Sequence, residues 1–209
     1  MSAQSQNKLK IVQIGDPVLR QTARPLTIEE ILSPDIQSLI YKMTVIMRKA
    51  PGVGLAAPQI GLPLQLIVIE DKKEYHQYLT PEQREERGRY EVPFHVVINP
   101  SLFIDHEELP LAEFYEGCLS VAGINGIVPR ATSVRVECLN EKGESVTINA
   151  KGWYARILQH EIDHLNGVLY VDRVKIRSLS TPDNFDKYWR GKSIQQICHT
   201  LECEKKLEN

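Results

Sequence analysis

The chain of 209 residues is 42% hydrophobic and 25% charged, with a formal net charge of −2; these values suit one domain with a real core and argue against a protein that coats nucleic acid or a membrane surface. No apolar run approaches the ~20 residues that span a bilayer, and residues 1–10 (MSAQSQNKLK) lack the apolar core of a signal peptide, so a cytoplasmic protein is expected, with a mature organellar form as the alternative. Cys118, Cys138, Cys198 and Cys203 fit a reducing compartment better than a disulfide scaffold.

In chain order, Ser33-Pro34-Asp35 predicts a helix start, and Ile36, Leu39, Ile40, Met43, Ile46 and Met47 follow at helical spacing until Pro51-Gly52. The stretch PGVGLAAPQIGLP (51–63) holds too much Gly and Pro for a regular element, and the β-branched LQLIVIE (64–70) predicts a strand. Residues 71–94 are dense in charge with little periodicity, which predicts a solvated surface insertion with one short helix. HVVINP (95–100) resumes the sheet, and residues 131–150 predict a hairpin with Val134, Val136 and Cys138 on one face and Arg135 and Glu137 on the other.

A helix is predicted over Gly152 to Leu165, closed by Gly167. Its stripe of Ala155, Leu158, Ile162 and Leu165 lies opposite a face that carries His160 and His164 together with Trp153 and Ile157. Apolar residues on two faces place such a helix at the centre of a fold. Residues 176–209 read as an extension ending in a helix (SIQQICHTLECEKKLEN), which has no sustained basic face and is expected to pack on the domain.

The chemistry lies in Gln159-His160-Glu161-Ile162-Asp163-His164. Histidines four apart on a helix project side by side and can share one metal ion, and Glu161 leans into the same cleft as an acid/base. The third ligand decides the enzyme class. Downstream, Asp172, Asp183 and Asp186 sit on no clear helix, and the next histidine is His199. Upstream, Cys118 lies in Glu116-Gly117-Cys118-Leu119-Ser120, where Gly117 and Ser120 mark a bend. A Cys, two His and an open position make a catalytic metal site, although spacing alone serves equally well for a Cys118 that is a small buried hydrophobe.

Gly52-Val53-Gly54-Leu55-Ala56-Ala57-Pro58-Gln59, Glu116 to Ser120 and Gln159 to His164 together resemble the three signature motifs of the peptide deformylases, in the family's order. Gly15-Asp16-Pro17-Val18-Leu19-Arg20 and Val128-Pro129-Arg130 also match, so the resemblance covers residues 10–175. It implies an α+β fold, antiparallel sheets around a central helix, with a catalytic domain over 1–175 and an extension over 176–209. It implies removal of the N-formyl group from the initiator N-formylmethionine of new polypeptides, so that the partner is the nascent N-terminus; a passing ribosome contact is compatible with it, and neither nucleic acid nor membrane is expected as a partner.

The same resemblance implies one divalent ion per chain, ferrous iron by the family's habit, with Zn2+, Ni2+ or Co2+ as substitutes. Its ligands would be Cys118, His160 and His164. Glu161 would shuttle the proton, while the Gln59 side-chain amide and the Leu119 backbone N–H would hold the oxyanion. Val53, Gly54, Trp153 and Ile157 would contact substrate, with Gly54 bare so that an extended peptide can approach its backbone. Glu116, Arg130 and Asp163 would steady the site from behind. Asn125 stands where many bacterial members carry an arginine, which removes one substrate contact, and Gly152-Trp153 with Ala155 to Leu158 is closer to the organelle-type branch. Two rival readings are a general HExxH peptidase, which needs a downstream ligand, and a binding protein without turnover, which needs neither Glu161 nor Gln59.

Overall fold

The structure, a computed structural model, describes residues 9–77, 79–104 and 111–203. Residues 1–8, in the segment read for a signal peptide, and 204–209, the polar end of the helix expected from the sequence, lie outside the described residues. The α1 helix (Ile28–Leu32) opens on a reciprocal cap between Thr27 and Glu30. Ser33 then accepts from the Ile36 N–H and Pro34 takes the first helical position, so α2 (Pro34–Lys49) starts where the sequence predicts.

Within 51–63, where no regular element is expected, Gly54–Ala56 forms the short strand β1 and pairs antiparallel with β2 (Leu66–Asp71). Leu55 and its neighbours are buried, and buried backbone polar groups must find partners. After α3 (Pro81–Arg87) come β3 (Val92–Phe103), β4 (Leu111–Cys118), β5 (Val121–Ala131), β6 (Ser133–Leu139) and β7 (Ser145–Lys151). They lead into α4 (Gly152–Leu165), followed by α5 (Pro182–Tyr188) and α6 (Ile194–Leu201).

One antiparallel sheet runs in the order β1-β2-β3-β6-β7, and β4 and β5 form a separate hairpin. Helix α4 lies between the two and touches strands of both, so the architecture is the expected α+β arrangement around a central helix. Strand β2 shows why its sequence is an unbroken apolar run: Ile67 and Ile69 face α4, while Leu66 and Val68 face α2. Each such side chain, fully buried, contributes roughly 1.5–3 kcal/mol. The sheet is thereby a rigid floor for α4.

The insertion is more firmly held than a solvated loop. Asp71, at its first position, is fully buried and receives both Arg89 Nε at 2.8 Å and an Arg89 terminal nitrogen at 2.9 Å. His76 lies 3.2 Å from the same carboxylate. Gly88, just past α3, packs its Cα against Gly152. Asp71, His76 and Arg89, which look solvent-directed along the chain, are paired across it. At the other end, the segment after α4 runs along β5, with two backbone hydrogen bonds of 2.9 Å between Asn125 and Ser180, and α6 buries Ile197.

Candidate metal centre

Helix α4 can begin at residue 152 only as glycine. Gly152 has φ +57°, and a Cβ there would lie 2.7 Å from the Gly88 carbonyl oxygen. From this start the helix carries Arg156, His160 and His164 along the side that faces β4. Strand β4 ends with a register shift between Gly117 and Cys118, a bulge that turns the cysteine toward the helix. Cys118 Sγ comes to 3.3 Å from His164 Nε2. Ligand atoms of Cys118, His160 and His164 all lie within 4.8 Å of one another, the one such group among the described residues.

The histidines are set by what stands behind them. His160 Nδ1 lies 3.0 Å from Glu116 Oε2, which leaves its Nε2 for the cluster. Glu116 is itself buried and receives Arg130 Nε and an Arg130 terminal nitrogen at 3.0 Å, and Arg156 at 2.6 Å. Burial would push the Glu116 carboxyl up, but the hydrogen bond to His160 and the Arg130 guanidinium outweigh it and hold the group well below the usual carboxylate range. Arg130 continues to Asp163 at 2.5 Å, and Asp163 also receives Arg173 at 2.7 and 2.8 Å. The expected Arg130–Asp163 pair is thus part of a longer chain of charges that ties α4 to the hairpin.

On the open side, Glu161 is buried and its Oε2 has no hydrogen-bond partner. Burial pushes its carboxyl up to about 7. Gly54 gives that carboxylate its room: a Cβ at Gly54 would stand 2.4 Å from Glu161 Oε1. The bare glycine therefore serves the glutamate as well, a reason additional to the peptide approach expected of it. Gln59 is aimed by its own loop, because Oε1 accepts the Ala56 N–H at 2.8 Å and so the amide nitrogen must point the other way, 3.5 Å from Cys118 Sγ.

These groups border a cavity of about 240 Å³. Val53, Gly54, Leu119, Trp153 and Ile157 form its walls, and Glu116, Cys118, His160, Glu161 and Gln59 its polar end. His164, Arg130 and Asp163 lie behind that end, so every residue singled out in the sequence falls at the cavity or directly behind it. The downstream acids do not. Asp172 is held by Arg20 and accepts the Leu169 N–H at 2.8 Å, and Asp186 pairs with Arg190, so neither supplies the ligand a general HExxH peptidase needs.

Two contributors escaped the sequence reading. Arg156, buried one turn before His160, donates to Glu116 and to the carbonyls of Val128 and Ala112; an arginine inside an apolar helix four residues before a ligand was the available signal. Tyr115 walls the cavity and donates to the Ser178 carbonyl, and nothing local distinguishes it from a core tyrosine.

Residues 8–180 match the family model for polypeptide deformylase. The chain belongs to the polypeptide deformylase family. It is 44% identical over 182 residues to peptide deformylase 1 of Bifidobacterium longum, covering 87% of this chain and 79% of that one. With the chloroplastic peptide deformylase 1A of Solanum lycopersicum it shares 46% over 176 residues, 84% of this chain, and it spans 63% of that relative's length. A solved class I type b peptide deformylase from Acinetobacter baumannii, bound to Met-Ala-Ser, superposes with a TM-score of 0.67 at 32% identity, covering 79% of this chain and 98% of that one.

Family membership implies a single catalytic metal ion, and the donor set fits one. A sulfur and two imidazoles converge from two elements, and burial lowers the His164 pKa, which keeps that ring in the neutral form a metal requires. At His160, burial lowers proton affinity, but Cys118 and Glu116 outweigh it and raise the pKa well above the usual imidazole value.

Proposed function

We propose that the chain is a metal-dependent hydrolase that removes the N-formyl group from N-formylmethionine at the start of new polypeptides and releases formate. The observation that carries this reading is the convergence of Cys118, His160 and His164 with the buried Glu161 and the aimed Gln59 amide at one end of an apolar cavity. A divalent ion held by the three ligands supplies Lewis acidity toward the formyl oxygen and the attacking water. Fe2+ is our assignment for the native ion, and the donors also suit Zn2+, Ni2+ and Co2+.

The chain's own groups do the rest. Glu161 takes a proton from the attacking water as the new C–O bond forms, then delivers it to the methionine nitrogen as the C–N bond breaks, leaving formate and a free amine. The Gln59 amide and the Leu119 N–H stabilise the oxyanion that develops on the formyl oxygen. Val53, Ile157 and Trp153 receive the methionine side chain. Strand β1 lies at the edge of its sheet, so the substrate backbone can extend the sheet beside Gly54.

We assign residues 1–175 as the catalytic domain and 176–209 as an extension. Nascent chains are the partner, and α6, with Ile197 buried, serves packing in preference to ribosome contact. Among the described residues no helix is long and apolar enough to cross a membrane. We place the protein in the cytoplasm, with an organelle as the alternative suggested by its chloroplastic relative.

The test is formate release from a formyl-Met peptide by anaerobically purified protein. Wild type should release formate, and Glu161→Ala should lose about 10²- to 10⁴-fold in turnover while elemental analysis still finds one ion per chain. Normal turnover in Glu161→Ala would overturn the mechanism.

A further inference from the structure

A second cavity, of about 370 Å³, shares Tyr115, Glu116, Gly117, Cys118 and Trp153 with the first, so it continues outward from the metal centre. Its outer walls come from the two segments that looked accessory in the sequence. The insertion contributes Leu79, Gln83 and Arg87, and α5 with the residue pair after it contributes Pro182, Phe185 and Arg190. Because the two cavities are continuous through these shared residues, the residues that follow a methionine seated in the first lie within reach of the second.

Arg87 is the anomalous group there. Its guanidinium is stacked 5.5 Å from the Phe114 ring centre and 5.6 Å from that of Trp153, and its Nε is buried without a hydrogen-bond partner. Among the described residues it makes no ion pair, although Arg156, Arg89 and Arg130 nearby are all bound to carboxylates. A half-desolvated charge without a counter-ion is costly and favours an incoming anion. The other charges at the cavity do not supply one. Glu116 is already shared by Arg130, Arg156 and His160, and Arg190 is paired with Asp186 at 2.5 Å in a solvent-exposed contact. Glu86, beside Arg87 in sequence, borders an adjoining smaller cavity and makes no ion pair with it among the described residues. Asn125, on the inner wall, is neutral.

We propose that this second cavity is a subsite for the two residues that follow formyl-methionine and that Arg87 makes it selective for an acidic side chain. The inference rests on the deformylase reading. It gives the insertion a function: α3 carries the guanidinium, and the Arg89–Asp71 pair and the Gly88–Gly152 contact hold α3 against α4.

The experiment compares kcat/KM for formyl-Met-Ala-Ser with that for formyl-Met peptides carrying Asp, Asn or Lys at the second or third position. Wild type should prefer Asp to Asn by about tenfold at one of the two positions, through KM, and added salt should shrink that ratio. Arg87→Gln should bring the Asp/Asn ratio close to one, Arg87→Lys should restore part of it, and Arg87→Glu should turn the preference toward Lys. Because each ratio is taken within one variant, loss of folded protein cancels. An Asp/Asn ratio near one in wild type, or an undiminished ratio in Arg87→Gln, overturns the subsite. Absence of formate from every peptide, formyl-Met-Ala-Ser included, points instead to failure of the deformylase reading.

Discussion

Behind the ligands and in front of them, the same helix face meets two opposite electrostatic regimes. Behind His160, every buried charge is answered: Glu116 by Arg130, Arg156 and His160, and Asp163 by Arg130 and Arg173. In front, polar atoms are buried without partners, among them Glu161 Oε2 and Arg87 Nε. Buried polar groups are ordinarily satisfied, so these two, at the walls of the cavities, mark where a ligand or substrate is to arrive. The paired side fixes geometry and the unpaired side is left for chemistry.

The sharpest way to break the paired side is Arg130→Met, which leaves Glu116 and Asp163 short of their shared cation. Breaking a buried pair costs about 3–5 kcal/mol, and because each carboxylate keeps another partner the lower end, about 3 kcal/mol, is expected from denaturant midpoints. A cost below about 1 kcal/mol would show that the charge chain does not hold α4 to the hairpin. On the unpaired side, Gly54→Ala forces a Cβ into Glu161, so turnover should fall on the order of 100-fold, as displaced catalytic groups do, with a much smaller change in melting temperature. An alanine variant with full kcat would mean that the carboxylate can move aside without consequence.

The comparison also explains what the sequence could and could not say. Helix α4 was legible to its ends because a two-sided apolar helix has a strong period, and the ligands lie at fixed spacing on it. The β4–β5 hairpin was not, because Gly117, Gly123 and Gly126 interrupt its alternation and its burial depends on α4 and on the segment after it. Charge density made residues 71–94 look solvated, and only the folded chain shows Asp71 enclosed with Arg89 and His76. The crowding of Gly54 against Glu161 was not legible either, since the identity of the atom a side chain would strike is a tertiary fact. Arg156 was hidden for the same cause, its carboxylate partner lying 40 residues upstream.

The proposed reaction depends on one ion being held by Cys118, His160 and His164. The most direct measurement is metal content by elemental analysis of wild type and Cys118→Ala, both purified without oxygen and shown to be folded by circular dichroism. One ion per wild-type chain, lost in Cys118→Ala, is the expected result. Stoichiometric metal retained in the folded Cys118→Ala protein would contradict the account.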